Sequence, residues 1–389
     1  MTNESDGNPR WQPPQIALVL QGGGALGAYQ GGVYQALSEQ GLEPDWIVGT
    51  SVGAINGAVL AGNAAGERVE RLKEFWDIVG QDDIWDPARV PEDLRPVNSY
   101  FTTLGVLASG VPGFFSPRRP LPPLRGDSGT AETASFYDSA PLRETLQRLA
   151  SFDLINAEEG TRLTVGAVNV TSGKLVYFDS AKEPLAVHHV LASGALPPGF
   201  PAVRIGDELY WDGGLYSNTP IDAVIDDVPQ VDTLCFMVDL WHAEGGEPRS
   251  IVEVSERQKD ILYASRSRHD IRDYRRMQDI RRAFQALRDK LPSELHELPE
   301  MERIERLLSA ARFTIIRLTY PERGWDMSTK AIDFSRASIK SRWDQGYSDA
   351  TRALAQEEWL RLPTGTGAVI YELGPEEEGK AVSLEPGAC

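Results

Sequence analysis

The sequence predicts an α/β fold in which helices cover both faces of a mostly parallel sheet. Three observations carry this. Short runs such as the all-apolar "IALVL" (Ile16 to Leu20) and "DWIVG" have the character of strands buried on both sides. Each is followed by a segment with helical periodicity, and repeated strand–helix alternation implies a parallel sheet. Glycines mark the junctions between them.

Taken in order, Tyr29, Val33 and Leu37 recur every four residues after the first strand, and Gly41 is placed to end that helix. The second strand leads into "SVGAINGAVLAG", read as a helix. Val69, Leu72, Phe75, Trp76 and Val79 stripe a third. The pattern then breaks over residues 95–130, which are rich in Pro and Gly yet carry Phe101, Leu104, Val106, Leu107, Phe114 and Phe115. A loop this long and this apolar reads as a lid or insertion near a site, with Arg118 and Arg119 within it. "LTVGAVNV" and "KLVYFDS", joined by "TSG", predict a hairpin. "ELYWDGG" and "TLCFMVDLW" supply further strands. Beyond Pro248 the chain becomes helical and charged, followed by a strand at "FTIIRLTY" and a final helix near Ser335 to Leu354. Residues 1–14 and 375–389 are expected to be disordered.

The net charge of −18 argues against a nucleic-acid partner, which would be repelled. Two cysteines, Cys235 and Cys389, are too few for a disulfide framework and fit a reduced, cytoplasmic setting. The N-terminal segment has neither the basic start nor the apolar centre of a signal peptide. No apolar run approaches the ~18 residues of a spanning helix. A soluble protein is expected, with any membrane contact peripheral. The sequence leaves the oligomeric state open.

Ser51 lies in "GTSVG", flanked by Gly49 and Gly53. A Gly-x-Ser-x-Gly match is weak by itself, since chance supplies about 0.2 in a chain of this composition. Its position between a strand and a helix is the setting of a nucleophile elbow, where glycines relieve clashes in a tight turn. The following helix also presents free N–H groups to a developing oxyanion. "QGGGALG" satisfies Gly-x-Gly-x-x-Gly through Gly22, Gly24 and Gly27, so an NAD(P)-binding oxidoreductase is one rival. That site wants an acid at the end of the second strand, whereas Glu43 and Asp45 precede it. The same glycines can instead bring backbone amides to a reacting centre as an oxyanion hole.

The five histidines offer no obvious base. His188 and His189 sit in a predicted helix, and His242, His269 and His296 lie in charged or loop-like stretches. Asp212 in "YWDGG" is the stronger candidate, with Gly213 and Gly214 allowing close approach. Tyr210, Trp211 and Leu215 could keep it dry enough to act as a base. "GDSG" around Ser128 imitates a protease nucleophile motif but lies in a Pro/Gly-rich loop with no strand on either side.

"GGGALG", "GTSVG", "ASGALPPGFPAV" and "DGG", in that order, resemble the patatin-like phospholipases over about Ile16 to Pro220. The resemblance implies a three-layer α/β/α sandwich and a lipid acyl hydrolase with a Ser–Asp dyad. Ser51 would be the nucleophile and Asp212 the base, with the amides of Gly22, Gly23 and Gly24 holding the oxyanion. No metal or organic cofactor is implied. The catalytic domain would span 15–245, and 246–374 would form a largely helical C-terminal extension packed on it. The chain carries Leu26 where the family often has Arg or Lys, which removes a possible phosphate contact and bears against phospholipid preference more than against hydrolysis. A non-catalytic lipid-binding protein is the second rival. The Arg-rich run (Arg266, Arg268, Arg272, Arg275, Arg276, Arg281, Arg282), interleaved with Asp270, Asp273 and Asp279, reads first as a solvated, ion-paired face. A docking face for anionic lipid is its minority reading.

Overall fold

The computed structural model describes residues 13–82, 105–119, 129–227, 231–292, 295–296, 298–299, 301, 311, 313–321, 330–356 and 368–373. Nine strands form one sheet: β1 Gln15–Leu20, β2 Trp46–Gly49, β3 Arg162–Asn169, β4 Leu175–Asp179, β5 Val203–Ile205, β6 Glu208–Asp212, β7 Thr233–Asp239, β8 Phe313–Thr319 and β9 Ala368–Leu373. Their spatial order is β9-β8-β7-β1-β2-β3-β6-β5, with β4 also on β3. From β9 to β3 every pairing is parallel, and β4, β5 and β6 pair antiparallel.

The apolar runs alternate as a two-faced sheet requires. Leu18 and Leu20 enter one core cluster while Ala17 and Val19 enter another on the opposite face. The larger cluster holds helices α1 (Ala28–Glu39), α2 (Val52–Ala61) and α3 (Arg68–Val79), with α4 (Ala140–Leu149) and α5 (Val187–Ser193) beside them. Gly41 follows α1 with φ 71°, in the left-handed conformation that ends a helix cheaply. The sequence-predicted hairpin is β3–β4, turning at Gly173 with φ 67°.

The register of β3 places the site. Gly49, the last residue of β2, pairs with Val165, and two positions further on Ala167 pairs with Asp212 at the end of β6. Because β4 occupies the other edge of β3 from Thr164 to Val168, β2 and β6 must follow each other along one edge. Ser51 and Asp212, remote in sequence, therefore leave adjoining strand ends.

Two C-terminal features depart from the expected division into a catalytic domain ending at 245 and a largely helical extension packed on it. β8 pairs with β7 and β9 with β8, so the boundary at 245 cuts through one continuous sheet. β9 went unrecognised because it lies in a short segment close to the polar tail. The long helix α6 (Ile251–Arg288) and the final helix α7 (Arg336–Leu354) do supply the helical character. Helix α7 packs on α1 at backbone distance, since a Cβ on Gly32 would stand 1.9 Å from the Trp343 carbonyl oxygen. Tyr29 donates to Asp349 at 3.1 Å across the same contact.

Of the expected lid at 95–130, residues 105–119 and 129–130 are described. Val106, Val111, Phe114 and Phe115 are buried in the main core, and Arg118 is tied to Ser135 and Asp138. Ser128 and the two terminal segments, 1–12 and 374–389, lie outside the described residues. So do the side chains of Arg266, Arg268, His269, Asp270, Arg275, Asp279, Arg281 and Arg282.

Candidate active site

Ser51 occupies the turn between β2 and α2 with φ 56° and ψ −122°, the one positive-φ non-glycine among the described residues. Such a conformation costs about 1–3 kcal/mol and persists only where its surroundings enforce it. Here they do so from both sides. A Cβ on Gly53 would stand 2.1 Å from the Leu20 carbonyl oxygen, and one on Gly49 would meet the Gly53 carbonyl at 2.4 Å. No larger residue fits either place. The Ser51 N–H donates to the buried Ser193 hydroxyl at 3.1 Å, and Gly53 N–H bonds back to Thr50.

Asp212 is 2% exposed and lines the same cavity as Ser51, whose hydroxyl acts on its carboxyl. Burial pushes its carboxyl up to about 7, against the opposing hydrogen bonds from Gly214 N–H and Ser51. The Gly214 bond measures 2.7 Å. Gly213 is obligatory because a Cβ there would meet the Gly166 carbonyl oxygen at 2.4 Å. Tyr210 is buried as expected and Trp211 half-buried. Leu215, expected to help dry the carboxylate, instead points outward at 43% exposure. Asp212 is seated on β3 opposite Ala167, and the Gly213 that follows it packs against Gly166 and Thr50.

The glycine loop abuts the serine. A Cβ on Gly22 would lie 3.0 Å from the Ser51 Cβ, and one on Gly27 2.6 Å from Val52. One expectation needs correcting. The Gly22 N–H already donates to the Asn218 carbonyl at 3.1 Å, so it is not free to meet a substrate oxygen. The N–H groups of Gly23 and Gly24 have no partner among the described residues. Gly24 adopts φ 57° with the Ala331 carbonyl directly behind it. Leu26 is fully buried in the core and does not line the site.

Gly22, Gly23, Gly24, Ser51, Asp212, Gly214 and Asn218 form the polar end of a cavity of about 330 Å³. The rest is largely apolar, with Ile55, Phe114, Phe115, Tyr137, Phe200, Ile332 and Phe334 prominent, and Lys259 also lines it. Phe115 stacks edge-on against Tyr137 and Phe200 with centroids 4.8 and 5.3 Å apart. Leu107 and Leu196 line the same cavity while remaining exposed. That volume and lining suit a small apolar ligand with one polar end.

No histidine lines this cavity among the described residues. His189 is held near 4 by burial and by its neighbour His188, and its Nδ1 accepts from the Ala186 N–H. The dinucleotide reading finds no support. Glu43 is engaged by Tyr34, Ser38 and Arg68, Asp45 accepts from Ile16 N–H, and both precede β2. No group of three His, Cys, Asp or Glu side chains among the described residues could hold a metal ion. No described helix is long and apolar enough to cross a membrane.

Sequence reasoning missed Asn218, Trp241, Ser193 and Tyr263. The only available signal was Asn218 itself, an amide in the turn "GGLYSNTP" just beyond Asp212.

Comparison with known proteins bears on the same residues. A family model described as patatin-like phospholipase matches residues 18–225, and a second, described as patatin phospholipase, matches 261–366. Among curated relatives, an uncharacterized NTE family protein of Mycobacterium tuberculosis is 29% identical over 213 residues, covering 54% of this chain and 28% of that protein. Patatin-like phospholipase domain-containing protein 7 of Rattus norvegicus is 35% identical over 105 residues, covering 27% and 7%. Lysophospholipase nte1 of Aspergillus terreus is 55% identical over 49 residues, covering 13% and 3%. The chain spans less than a third of the length of these relatives. Among solved structures, VipD from Legionella pneumophila aligns over 88% of this chain and 67% of its own, at 16% identity and a TM-score of 0.38. The first match alone covers more than half of the chain, from the glycine loop through the serine turn to the carboxylate strand, and the chain belongs to the patatin-like phospholipase family.

Proposed function

We propose that the chain hydrolyses acyl esters of lipids through a Ser51 acyl-enzyme, with Asp212 as the base. What supports this most is a serine on a strained backbone beside a buried carboxyl that burial pushes up to about 7, at the polar end of an apolar cavity. A carboxylate with an ordinary pKa near 4 is a poor base, and one near 7 is matched to its task.

In the first half-reaction Asp212 takes the Ser51 proton as Oγ bonds to the ester carbonyl carbon. The carbonyl oxygen becomes an alkoxide and accepts from the N–H groups of Gly23 and Gly24. Collapse breaks the ester C–O bond, and the departing alkoxide takes the proton from Asp212. Water then attacks the acyl-enzyme, giving its proton to Asp212. The second collapse releases the fatty acid and returns the proton to Ser51.

The aromatic wall fits an acyl chain, and the relatives named as phospholipases and lysophospholipase favour phospholipid or lysophospholipid as the source. Exposed Leu107 and Leu196 at the cavity suit peripheral contact with a lipid surface. The test is a panel of chromogenic acyl esters and phospholipids, with a fluorophosphonate probe read by peptide mapping. The probe should label Ser51, and Ser51→Ala should cut turnover roughly 10⁴-fold or more. Labelling elsewhere, or hydrolysis surviving Ser51→Ala, would falsify the assignment.

A further inference from the structure

The C-terminal region reaches the site through the carbonyl of Gly22. That oxygen accepts two hydrogen bonds, from the Asn218 side-chain amide at 3.0 Å and from the Trp241 indole N–H at 2.7 Å. In a trans peptide the C=O of one residue and the N–H of the next point in opposite directions. Fixing the Gly22 oxygen therefore fixes the direction of the Gly23 N–H, which has no partner among the described residues.

Trp241 is itself held by groups far along the chain. Its ring lies against Tyr263 of α6 with centroids 5.1 Å apart, and the Lys330 ammonium stands over it at 5.3 Å. Lys330 is pinned at 2.7 Å by Asp260, both buried. The Gln21 side chain closes the frame by donating to the Tyr263 carbonyl at 3.1 Å and accepting from the Leu240 and Trp241 N–H groups.

We infer that Asn218 and Trp241 are positioning residues that aim the Gly23 N–H at the substrate oxyanion, and that α6 and the Lys330 segment hold Trp241 in place for this. The inference rests on the hydrolase reading and assigns the C-terminal region a part in it. Trp241→Phe keeps an aromatic ring but removes the indole N–H, and Asn218→Ala removes the other donor while leaving the backbone carbonyl that holds Gly22 N–H.

Either donor alone still holds the carbonyl, so each single variant should lower kcat only about 2- to 10-fold, the usual worth of one hydrogen bond. The double variant should approach the roughly 10²- to 10³-fold loss of an oxyanion donor, with KM nearly unchanged. A long-chain alkyl trifluoromethyl ketone gives a second readout. Ser51 Oγ adds to its carbonyl carbon, Asp212 takes the proton, and the resulting oxyanion needs the aimed N–H. The matching secondary alcohol fills the cavity without forming an oxyanion. The double variant should lose ketone affinity in step with kcat and keep alcohol affinity. If the double variant does not fold, the ketone-to-alcohol ratio of Trp241→Phe against the parent decides. Equal weakening of both compounds, or an unchanged kcat and ketone affinity, overturns the inference. A parent chain that neither turns over ester nor binds the ketone overturns the hydrolase reading, and this inference with it.

Discussion

The two ends of the cavity are built on different principles. The polar end is made of strand ends and the turns that follow them, where the backbone has almost no freedom. Gly49, Gly53 and Gly213 each stand where a Cβ would meet a carbonyl. The apolar end is made of side chains from remote segments, with Phe114 packed against both Phe200 and Phe334. Rings meeting edge-on can be exchanged or resized, whereas a backbone contact near 2 Å leaves no room. Substitutions at the polar end should therefore act on kcat and folding together, and substitutions at the apolar end on substrate choice.

The sharpest way to break this contrast is Gly53→Ala. One methyl group directed at the Leu20 carbonyl should abolish the serine turn, with turnover down by about 10³-fold or more and Tm lowered by several degrees. An active, stable alanine variant would show that the turn is softer than its contacts imply.

Asp212→Asn should lower kcat about 10²- to 10⁴-fold, with its fold retained. The parent's kcat/KM should rise with pH through an inflection near 7, where the carboxyl loses its proton. Stability should move oppositely. Because burial raises this carboxyl above its unfolded value of 3.8, the folded state binds more protons between about 4 and 7, and stability is lost as pH rises through that window. The Asn variant should escape that loss, so its Tm advantage over the parent should widen from pH 5 to pH 8. A gap that stays constant with pH would contradict a neutral buried carboxyl.

The smallest effect is expected at the apolar end. Phe200→Ala, which removes one partner of Phe114, Phe115 and Tyr137, should raise KM for long acyl chains about 3- to 30-fold and leave short esters nearly unaffected. A uniform fall in kcat across chain lengths would blur the distinction between the two ends.

The same contrast explains how much was legible in the sequence. Ser51, Asp212 and their glycines could be read because tight turns after strands demand particular residue types at fixed spacing. The first three helices and the β3–β4 hairpin could be read from periodicity. The aromatic wall could not, since nothing local ties Phe114 to Phe334. Phe114 and Phe115 suggested a lid by their apolarity, and their burial in the core appears only in three dimensions. Trp241 closes the run "TLCFMVDLW" and reads as one more apolar core residue. Its indole N–H acquires a purpose only when Gly22 lies opposite. Gly22 lies next to Ser51, yet its amide faces Asn218, which spacing cannot reveal.

The tandem seating of β2 and β6 along one edge of β3 has an unusual consequence. That strand acts as a ruler with marks one residue apart, and side chains on neighbouring marks face opposite ways. Adding a single amino acid between Val165 and Ala167 would slide the carboxylate's seat by one mark and turn its side chain through the sheet. The proposed hydrolysis could thus be silenced by lengthening a strand that contributes no group to the reaction.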